Sequence, residues 1–324
     1  MCGLLFGFSS SNEFDLGDFE SALNLLSHRG PDGSGLLSRS AGRLRFGHKR
    51  LSIQDISQNG AQPFESKCGG FILLFNGEIY NHFELRDIVQ NAYDGEFLWQ
   101  GHSDTETIVE LVSVFGLDRA LPLLRGMFAI CLYSKSENKI LLARDRAGEK
   151  PLFYEVGSET LLVSSTLEPI SLLSRKTFND ISQDALCMYL QRTYVPDSLC
   201  VFKGVEKVLP GEKVEISLET LCVRKSLYWR LSDKNAGRSH YVRGSKATEA
   251  RNLRERIERS VHSQLVSDRP VGTFLSGGID SSVITAAANT AGGAPVKSFS
   301  IGYVEDAYDE SRYAECVANY LGTD

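Results

Sequence analysis

Met1-Cys2-Gly3 opens the chain and puts a cysteine where it can become the first residue of the mature protein. Because the side chain of Cys2 is small, the initiator methionine before it is easily removed. The thiol has an ordinary pKa of about 8.5, and the exposed α-amino group one of about 7.7–8.0. Such an amine is a general base suited to neutral pH, so one residue can supply both nucleophile and base. In the simpler alternative, Cys2 is a small residue that opens a strand over residues 2–8.

Composition and charge restrict the class of protein. The 324 residues are enough for two domains with buried cores. The hydrophobic fraction of 42% and the charged fraction of 23% are typical of a globular protein, and the net charge of −6 argues against a nucleic-acid-binding surface. The sequence has neither an apolar run of about 18 residues nor the basic start of a signal peptide. We therefore expect a cytoplasmic protein with no nucleic-acid or membrane partner.

Cysteine and histidine usage indicates neither a disulfide framework nor a zinc site. The seven cysteines include no C-x-x-C pair, and the six histidines show no metal-ligand spacing. Scattered, unpaired cysteines are typical of a reducing compartment. We expect no prosthetic group.

The pattern over residues 2–191 combines a few helices with many short strands. Apolar residues at helical spacing predict a helix over 14–26, and an uninterrupted apolar run predicts a buried strand over 71–75. Further strands are predicted at 2–8, 35–39, 43–48, 127–133, 139–144, 151–155 and 161–165, and further helices at 82–90, 104–115, 167–173 and 182–191. This order predicts an α+β domain with largely antiparallel sheets.

Two polar motifs lie at the ends of predicted elements, one after a strand and one at the start of a helix. Asn76-Gly77 comes directly after the strand over 71–75 and can present a side-chain amide and a backbone N–H towards one point, as an oxyanion requires. The alternative is a β-turn, for which Asn-Gly is a common pair. Asp104 lies in Ser103-Asp104-Thr105-Glu106, a capping-box type of helix start, so it can also be a first-turn acid favoured by the helix dipole.

The pattern changes at Lys246. Helices predicted at 247–265, 283–291 and 310–321 alternate with short strands at 271–275 and 296–301. Such alternation predicts a parallel doubly wound sheet, of which the chain contains the beginning. The polar, glycine-containing residues 234–245 before it predict a linker.

A glycine- and serine-rich loop over residues 276–282 joins the strand over 271–275 to its helix. Backbone N–H groups and hydroxyls at a helix N-terminus form an anion site. The loop is not a Walker A element, because Gly278 stands where the lysine is required. A loop that binds the pyrophosphate released when ATP is cleaved to AMP fits better, and Asp280 could help bind Mg²⁺. Alternatively, Ser276 and Asp280 only cap the helix.

Taken together, these motifs resemble the glutamine-dependent asparagine synthetases of the asparagine synthetase B type. The matching motifs cover essentially the whole chain, in the family's order: Met1-Cys2-Gly3, His28-Arg29-Gly30-Pro31-Asp32, Arg50-Leu51-Ser52-Ile53, Asn76-Gly77-Glu78-Ile79-Tyr80-Asn81, Ser103-Asp104, Gly126-Met127-Phe128-Ala129, Arg144-Asp145 and Leu275-Ser276-Gly277-Gly278-Ile279-Asp280-Ser281-Ser282. The resemblance implies an αββα sandwich of the N-terminal-nucleophile hydrolases over 2–213, a connecting segment over 214–245, and the first part of an α/β doubly wound ATP-pyrophosphatase domain over 246–324.

The resemblance also implies roles in glutamine hydrolysis. Cys2 would attack the side-chain amide with its α-amino group as base, and Asn76 with the Gly77 N–H would form the oxyanion hole. Arg50 would clamp the α-carboxylate, for which a two-pronged guanidinium is suited, while Glu78 and Asp104 would hold the α-ammonium. The implied glutamine site is Arg50, Leu51, Ser52, Ile53, Gln54, Asn76, Gly77, Glu78 and Asp104.

The remaining implications concern the synthetase part. Ammonia would cross an internal tunnel to a carboxylate activated by ATP, aspartate in the family, giving asparagine, AMP and diphosphate. The implied ATP site is Leu275, Ser276, Gly277, Gly278, Asp280, Ser281, Ser282 and Ile301, with Mg²⁺ at Asp280. A homodimer is compatible with the resemblance. Family members continue for about 200 residues more, by ordinary domain sizes. We therefore expect this chain to hydrolyse glutamine without completing ATP-dependent amide synthesis.

Two alternatives remain open at this stage. The ammonia acceptor can be another carboxylate, such as a sugar acid in polysaccharide synthesis, which the Gly148-Glu149-Lys150-Pro151 hairpin weakly favours. The chain can also be a non-catalytic descendant, although Cys2, Arg50, Asn76 and Asp104 are all present. Other class II amidotransferases share the first domain, but the loop over 276–282 disfavours them.

Overall fold

Short strands and amphipathic helices alternate along the computed structural model, which describes residues 1–231, 245–292, 295–305 and 308–324. The strands over residues 1–231 are β1 (Gly3–Ser9), β2 (Gly33–Arg39), β3 (Leu44–Arg50), β4 (Phe64–Glu65), β5 (Phe71–Ile79), β6 (Gly126–Ser134), β7 (Lys139–Arg144), β8 (Phe153–Val156), β9 (Thr160–Ser164), β10 (Val205–Lys207), β11 (Glu212–Ser217) and β12 (Val223–Leu227). The α-helices there are α1 (Leu16–Asn24), α2 (His82–Ala92), α3 (Asp104–Phe115), α4 (Leu117–Ala120), α5 (Leu167–Leu173) and α6 (Gln183–Arg192).

Within residues 1–231 these strands form two six-stranded sheets. The strand orders are β10-β8-β9-β1-β3-β2 and β12-β11-β7-β6-β5-β4. All the neighbouring strands pair antiparallel. The predicted α+β arrangement with antiparallel sheets is therefore confirmed.

Side chains that alternate along β1 separate the two faces of the first sheet. Leu4 and Phe6 pack in the core between the sheets, whereas Leu5 points to the opposite face and packs on α1. The sheets meet through contacts such as that of Phe46 with Tyr133, whose ring centroids lie 6.0 Å apart. The main hydrophobic core is therefore a sheet-on-sheet interface.

Helices cover the outer faces of both sheets. Phe19 and Leu23 of α1 pack against the first sheet. On the other side, Leu73 and Phe75 of β5 pack against helical residues such as Ile108. The resulting order of layers is helix, sheet, sheet, helix, which is the αββα sandwich that the resemblance implied.

Helix α3 begins at Asp104 as predicted, but its capping box is only half formed. The hydroxyl of Ser103 accepts the N–H of Glu106 at 3.2 Å. The Glu106 carboxylate accepts instead from the N–H groups of Gln100 and Gly101, at 2.7 and 3.0 Å, because these residues fold over the first turn.

The structure excludes one alternative that the sequence left open. Strand β5 continues to Ile79, with Asn76 opposite Ala129, so the alternative of a turn at Asn76-Gly77 is wrong. Strand β11 spans the expected boundary at residue 213 and pairs with β7 and β12, and the boundary itself stays a prediction. The linker predicted over 234–245 lies outside the described residues, apart from its last residue.

The second unit, Gly237–Asp324, is described by itself. Its described elements are α7 (Lys246–Ser263), β13 (Gly272–Phe274), α8 (Ile279–Asn289), β14 (Lys297–Phe299) and α9 (Ser311–Leu321). The two strands pair parallel, as predicted. In the part of the chain that the structure describes, no helix combines the length and apolar character needed to cross a membrane.

Truncation of a side chain between the sheets tests the sandwich core. Leu74 is 0% exposed, and Leu98 is 68% exposed. We expect Leu74→Ala to lower the free energy of unfolding by about 2–5 kcal/mol, because it leaves a cavity in the core. Leu98→Ala should change it by no more than about 0.5 kcal/mol. Denaturant unfolding followed by circular dichroism measures both, and equal losses would contradict the assignment of the core.

Candidate active site

Cys2 lies immediately before β1, and the register of that strand determines its surroundings. Gly3 lies opposite Lys49, so Cys2 lies beside the end of β3. The N–H of Leu51 donates to the Cys2 Sγ at 3.4 Å, and the thiol contacts the Leu51 carbonyl oxygen at 3.6 Å. Burial raises the pKa of the thiol. The sulfur is therefore fixed against the backbone that follows β3.

A polar cleft opens at this thiol and contains most of the predicted glutamine site. Its lining residues are Cys2, Arg50, Leu51, Ile53, Gln54, Gly60, Gln62, Phe75, Gly77, Glu78, Asp104 and Thr105. Two predicted residues lie outside the lining. The N–H of Ser52 donates to Asp32 Oδ2 at 2.8 Å, and Asn76 is buried next to Gly77.

The sequence motifs miss four of the lining residues. Phe75 and Thr105 are sequence neighbours of the predicted residues Asn76 and Asp104, and Gly60 lies against Arg50. Gln62 carries no local signal of a site. Gln62 becomes recognisable only through its contacts. It accepts from the N–H of Phe75 at 2.6 Å and donates to Thr105 Oγ1 at 3.3 Å.

The guanidinium of Arg50 forms one wall of the cleft and holds the turn after β3. Its Nη1 donates to the Ser57 carbonyl at 2.7 Å, and its Nη2 donates to the carbonyl oxygens of Gln54 and Asp55. A Cβ on Gly60 would lie 2.2 Å from Nη2, so the guanidinium can occupy this position only if residue 60 is glycine. The charge is therefore placed rigidly in the cleft.

Two carboxylates, Glu78 and Asp104, also line the cleft. Gln54 Nε2 donates to Glu78 Oε2 at 2.7 Å, and the N–H of Ile79 donates to Asp104 Oδ2 at 2.9 Å. Burial, followed by the charge of Asp104, raises the pKa of Glu78, and burial raises the pKa of Asp104. A bound positive charge would relieve this repulsion, so the carboxylates suit an ammonium group.

The backbone N–H groups of β5 face the same cleft. The N–H of Phe75 donates to Gln62 and that of Ile79 to Asp104. Backbone groups two residues apart in a strand point the same way, so the N–H of Gly77 points to the cleft between them. A Cβ on Gly77 would lie 2.1 Å from the Met127 carbonyl oxygen, which excludes any side chain there.

Asn76 brings a second donor to this region. Its side chain is 1% exposed, and its Nδ2 has no hydrogen-bond partner among the residues that the structure describes. A buried donor without an acceptor costs stability, and the great majority of such groups in proteins are satisfied. The amide is therefore suited to an oxygen that arrives with a ligand.

The predicted base is the α-amino group of Cys2. While Met1 is attached, this nitrogen belongs to a peptide bond and cannot accept a proton. Arg29 Nε donates to the carbonyl oxygen of Cys2 at 3.0 Å and holds the start of β1. Burial lowers the pKa of the amino terminus at Met1. At Met1, burial therefore favours the neutral amine, which is the form that accepts a proton.

In the second unit, part of the predicted ATP site lines one pocket. Leu275, Ser276, Ser281 and Ile301 belong to its lining. The hydroxyl oxygens of Ser276 and Ser281 lie 3.1 Å apart, and Gly278 caps α8. The other predicted residues, Gly277, Gly278, Asp280 and Ser282, lie in the turn before α8 and in its first turn.

Asp280 is the one residue for which the sequence predicts a metal. Among the described residues, no group of three or more His, Cys, Asp and Glu side chains is arranged to hold a metal ion. Mg²⁺ is commonly bound by one or two carboxylates together with substrate phosphates. A single carboxylate beside a loop of N–H groups and hydroxyls fits that kind of site.

Two protein-family models match the chain. Residues 1–229 match the glutamine amidotransferase domain, and residues 252–324 match asparagine synthase.

Curated relatives are similar over nearly the whole chain. The glutamine-hydrolyzing asparagine synthetase 1 of Bacillus subtilis is 31% identical over 99% of this chain and 49% of its own length. A putative glutamine-hydrolyzing asparagine synthetase 2 of Methanocaldococcus jannaschii is 29% identical, over 100% of this chain and 64% of its own. The amidase chyE of Penicillium rubens is 33% identical, over 100% and 50%. The chain thus spans between 49% and 64% of the length of these relatives.

Solved structures share the fold. The glutamine phosphoribosylpyrophosphate amidotransferase of Bacillus subtilis, in complex with ADP and GMP, matches with a TM-score of 0.53 and 16% identity, over 95% of this chain and 67% of that chain. At this identity the likeness concerns the fold, and it agrees with the αββα sandwich.

Removal of one carboxyl charge tests the electrostatics of the cleft. Because the pKa of Glu78 is raised in the folded protein, the folded state binds more protons than the unfolded state as the pH rises above the ordinary glutamate value of about 4.3. The wild type should therefore lose stability relative to Glu78→Gln as the pH rises towards neutral. Urea unfolding of both proteins across this range measures the difference. If the difference in stability between the two proteins stayed constant, or changed in the opposite direction with pH, the pKa of Glu78 would not be raised in the folded protein.

Proposed function

We propose, on the premise that this chain belongs to the glutamine amidotransferase domain family, that its first unit hydrolyses glutamine to glutamate and ammonia with Cys2 as nucleophile. One observation carries the proposal: a thiol, a guanidinium and two carboxylates line a single cleft. Glutamine carries a side-chain amide, an α-carboxylate and an α-ammonium. The cleft therefore offers one complementary group for each of them.

Substrate binding would use the charged groups. Arg50 would bind the α-carboxylate, and Glu78 with Asp104 would bind the α-ammonium. The carbonyl oxygens of the turn over 54–57 already hold the guanidinium in place. Little side-chain freedom remains to be lost on binding, and this preorganisation favours the complex.

The reaction would begin with removal of Met1, which frees the α-amino group of Cys2. That amine takes the thiol proton as the sulfur attacks the amide carbon, and the oxygen becomes an oxyanion. Asn76 Nδ2 and the N–H of Gly77 are the donors that would stabilise it. The C–N bond then breaks, the amine passes its proton to the departing ammonia, and a thioester remains on Cys2. Water cleaves the thioester and releases glutamate and the thiol.

In a protein that carries the full asparagine synthase domain, the ammonia would be used for amide synthesis. The match of residues 252–324 to asparagine synthase, together with the serine-rich loop before α8, supports ATP as the activating substrate. Mg²⁺ held with the help of Asp280 would neutralise phosphate charge. The acceptor proposed is aspartate, with asparagine, AMP and diphosphate as products.

A different carboxylate, such as a sugar acid, is the second candidate for the ammonia acceptor. A relative that is 33% identical over the whole chain is named an amidase and not an asparagine synthetase. Relatives of this similarity therefore do not all carry the name of an asparagine synthetase.

Replacement of the nucleophile tests the hydrolysis. Cys2→Ala should reduce glutamate release from glutamine by about a thousandfold or more, since both the sulfur and the covalent intermediate are lost. Cys68→Ala, which removes an exposed thiol, is the matched control and should keep wild-type turnover. Coupled glutamate assays measure both. Turnover retained by Cys2→Ala would remove this thiol from the mechanism.

A substrate screen distinguishes the acceptors. The product of the complete gene, supplied with ATP, glutamine and one carboxylate at a time, should release diphosphate most rapidly with aspartate. Faster release with a sugar acid, and none with aspartate, would favour the second candidate. Mass spectrometry of the amide product identifies the acceptor directly.

A further inference from the structure

His48 is a buried side chain to which the proposed hydrolysis gives no role. It lies on β3, is 0% exposed, and its Nε2 lies 3.1 Å from the carbonyl oxygen of Phe75 on β5. Burial lowers the pKa of His48 to about 4, so the imidazole is neutral at neutral pH. Because a carbonyl oxygen can only accept, Nε2 carries the proton and donates it. This hydrogen bond joins the two sheets of the sandwich.

The accepting carbonyl belongs to the peptide group that leads into Asn76 and Gly77. The N–H of Phe75 is held by Gln62 at 2.6 Å, and the N–H of Ile79 is held by Asp104 at 2.9 Å. His48 completes this set, since it holds the carbonyl of Phe75. Side chains thus fix the backbone on both sides of Gly77.

His48 is also connected to β1, the strand that follows Cys2. In the pairing of β1 with β3, His48 lies opposite Leu4, and its neighbour Lys49 lies opposite Gly3. Cys2 is the next residue. The Cys2 thiol and the oxyanion donors are therefore connected by β1, by the pairing of β1 with β3, and by the hydrogen bond from His48 to β5.

Packing alone does not account for a histidine at this position. Its Nδ1 is also buried, and it has no hydrogen-bond partner within the described part of the chain. Burial of a polar atom without a partner costs free energy that an aliphatic side chain would avoid. Histidine at this position makes a hydrogen bond to the Phe75 carbonyl, which an aliphatic side chain could not make.

We propose that His48 is a positioning residue, which sets the oxyanion donors Asn76 and Gly77 at the correct distance from the Cys2 thiol. This inference rests on the proposed glutamine hydrolysis. The hydrogen bond holds the peptide plane before Asn76, so its loss lets the donors move away from the developing oxyanion while the charged groups that bind glutamine stay in place.

Two substitutions test the inference in the full chain. Gln at position 48 can place an amide N–H where Nε2 is, whereas Asn is too short and places its amide near the position of Nδ1. We expect His48→Asn to lower kcat for glutamine hydrolysis by about ten- to a hundredfold, the usual scale for a small misplacement of catalytic groups. KM should change little, and His48→Gln should restore most of kcat.

The rate of alkylation of Cys2 by iodoacetamide serves as a second readout. This reaction requires the thiol but no oxyanion donor, so both variants should react at the wild-type rate. An unchanged kcat in His48→Asn would overturn the inference. A parallel fall of kcat and alkylation rate would also overturn it, because that pattern indicates general damage to the site.

Hydrogen exchange separates this inference from the proposed function. If the wild type releases no glutamate, the proposed function fails, and backbone exchange at residues 75–79 then decides the role of His48. Faster exchange in His48→Asn than in His48→Gln would support it, and equal exchange would overturn it.

Discussion

The backbone of β5 beyond residue 73 takes its hydrogen bonds on one side from side chains, because β4 pairs with β5 only at residues 72–73 in the described part of the chain. Gln62, His48 and Asp104 hold this edge in place of a strand. A neighbouring strand would have used the N–H of Gly77 in its ladder. Side-chain partners leave that group facing the cleft. A strand edge without a neighbouring strand, which proteins usually have to protect, thus forms one wall of the cleft.

The charges of the cleft follow from this arrangement. Asp104 serves both as a partner for the β5 backbone and as one of two carboxylates placed close together. Burying two like charges costs free energy unless a positive group compensates for them. The Arg50 guanidinium meanwhile is already bound to backbone carbonyls. The site is therefore prepared for a ligand that carries one positive and one negative group, as a free amino acid does.

The sequence predicted the elements that depend on local periodicity and the residues that belong to motifs. Short apolar runs predict strand β1 and strand β13, and a capping-box type of start predicts helix α3, because these signals depend only on neighbouring residues. The resemblance implied nine residues of a glutamine site, and the structure brings seven of them to one cleft. How these residues act stays a prediction.

The features that the sequence did not indicate depend on long-range contacts. Asn76-Gly77 has the composition of a turn, yet pairing with β6 keeps both residues in a strand, so tertiary structure overrides local preference. Gln62 lies 13 residues from the N–H that it accepts, and His48 lies 27 residues from the carbonyl to which it donates. Contacts between residues so far apart in the sequence leave no periodic pattern of apolar residues.

Covalent labelling tests the central claim most directly, namely that a trimmed Cys2 attacks the side-chain carbon of glutamine beside the β5 edge. The purified chain would be treated with a diazoketone analogue of glutamine, digested and mapped by mass spectrometry. The account predicts a single adduct, on the sulfur of Cys2, in peptides that lack Met1, and glutamine should protect against its formation. An adduct on another residue, or on peptides that still carry Met1, would contradict it.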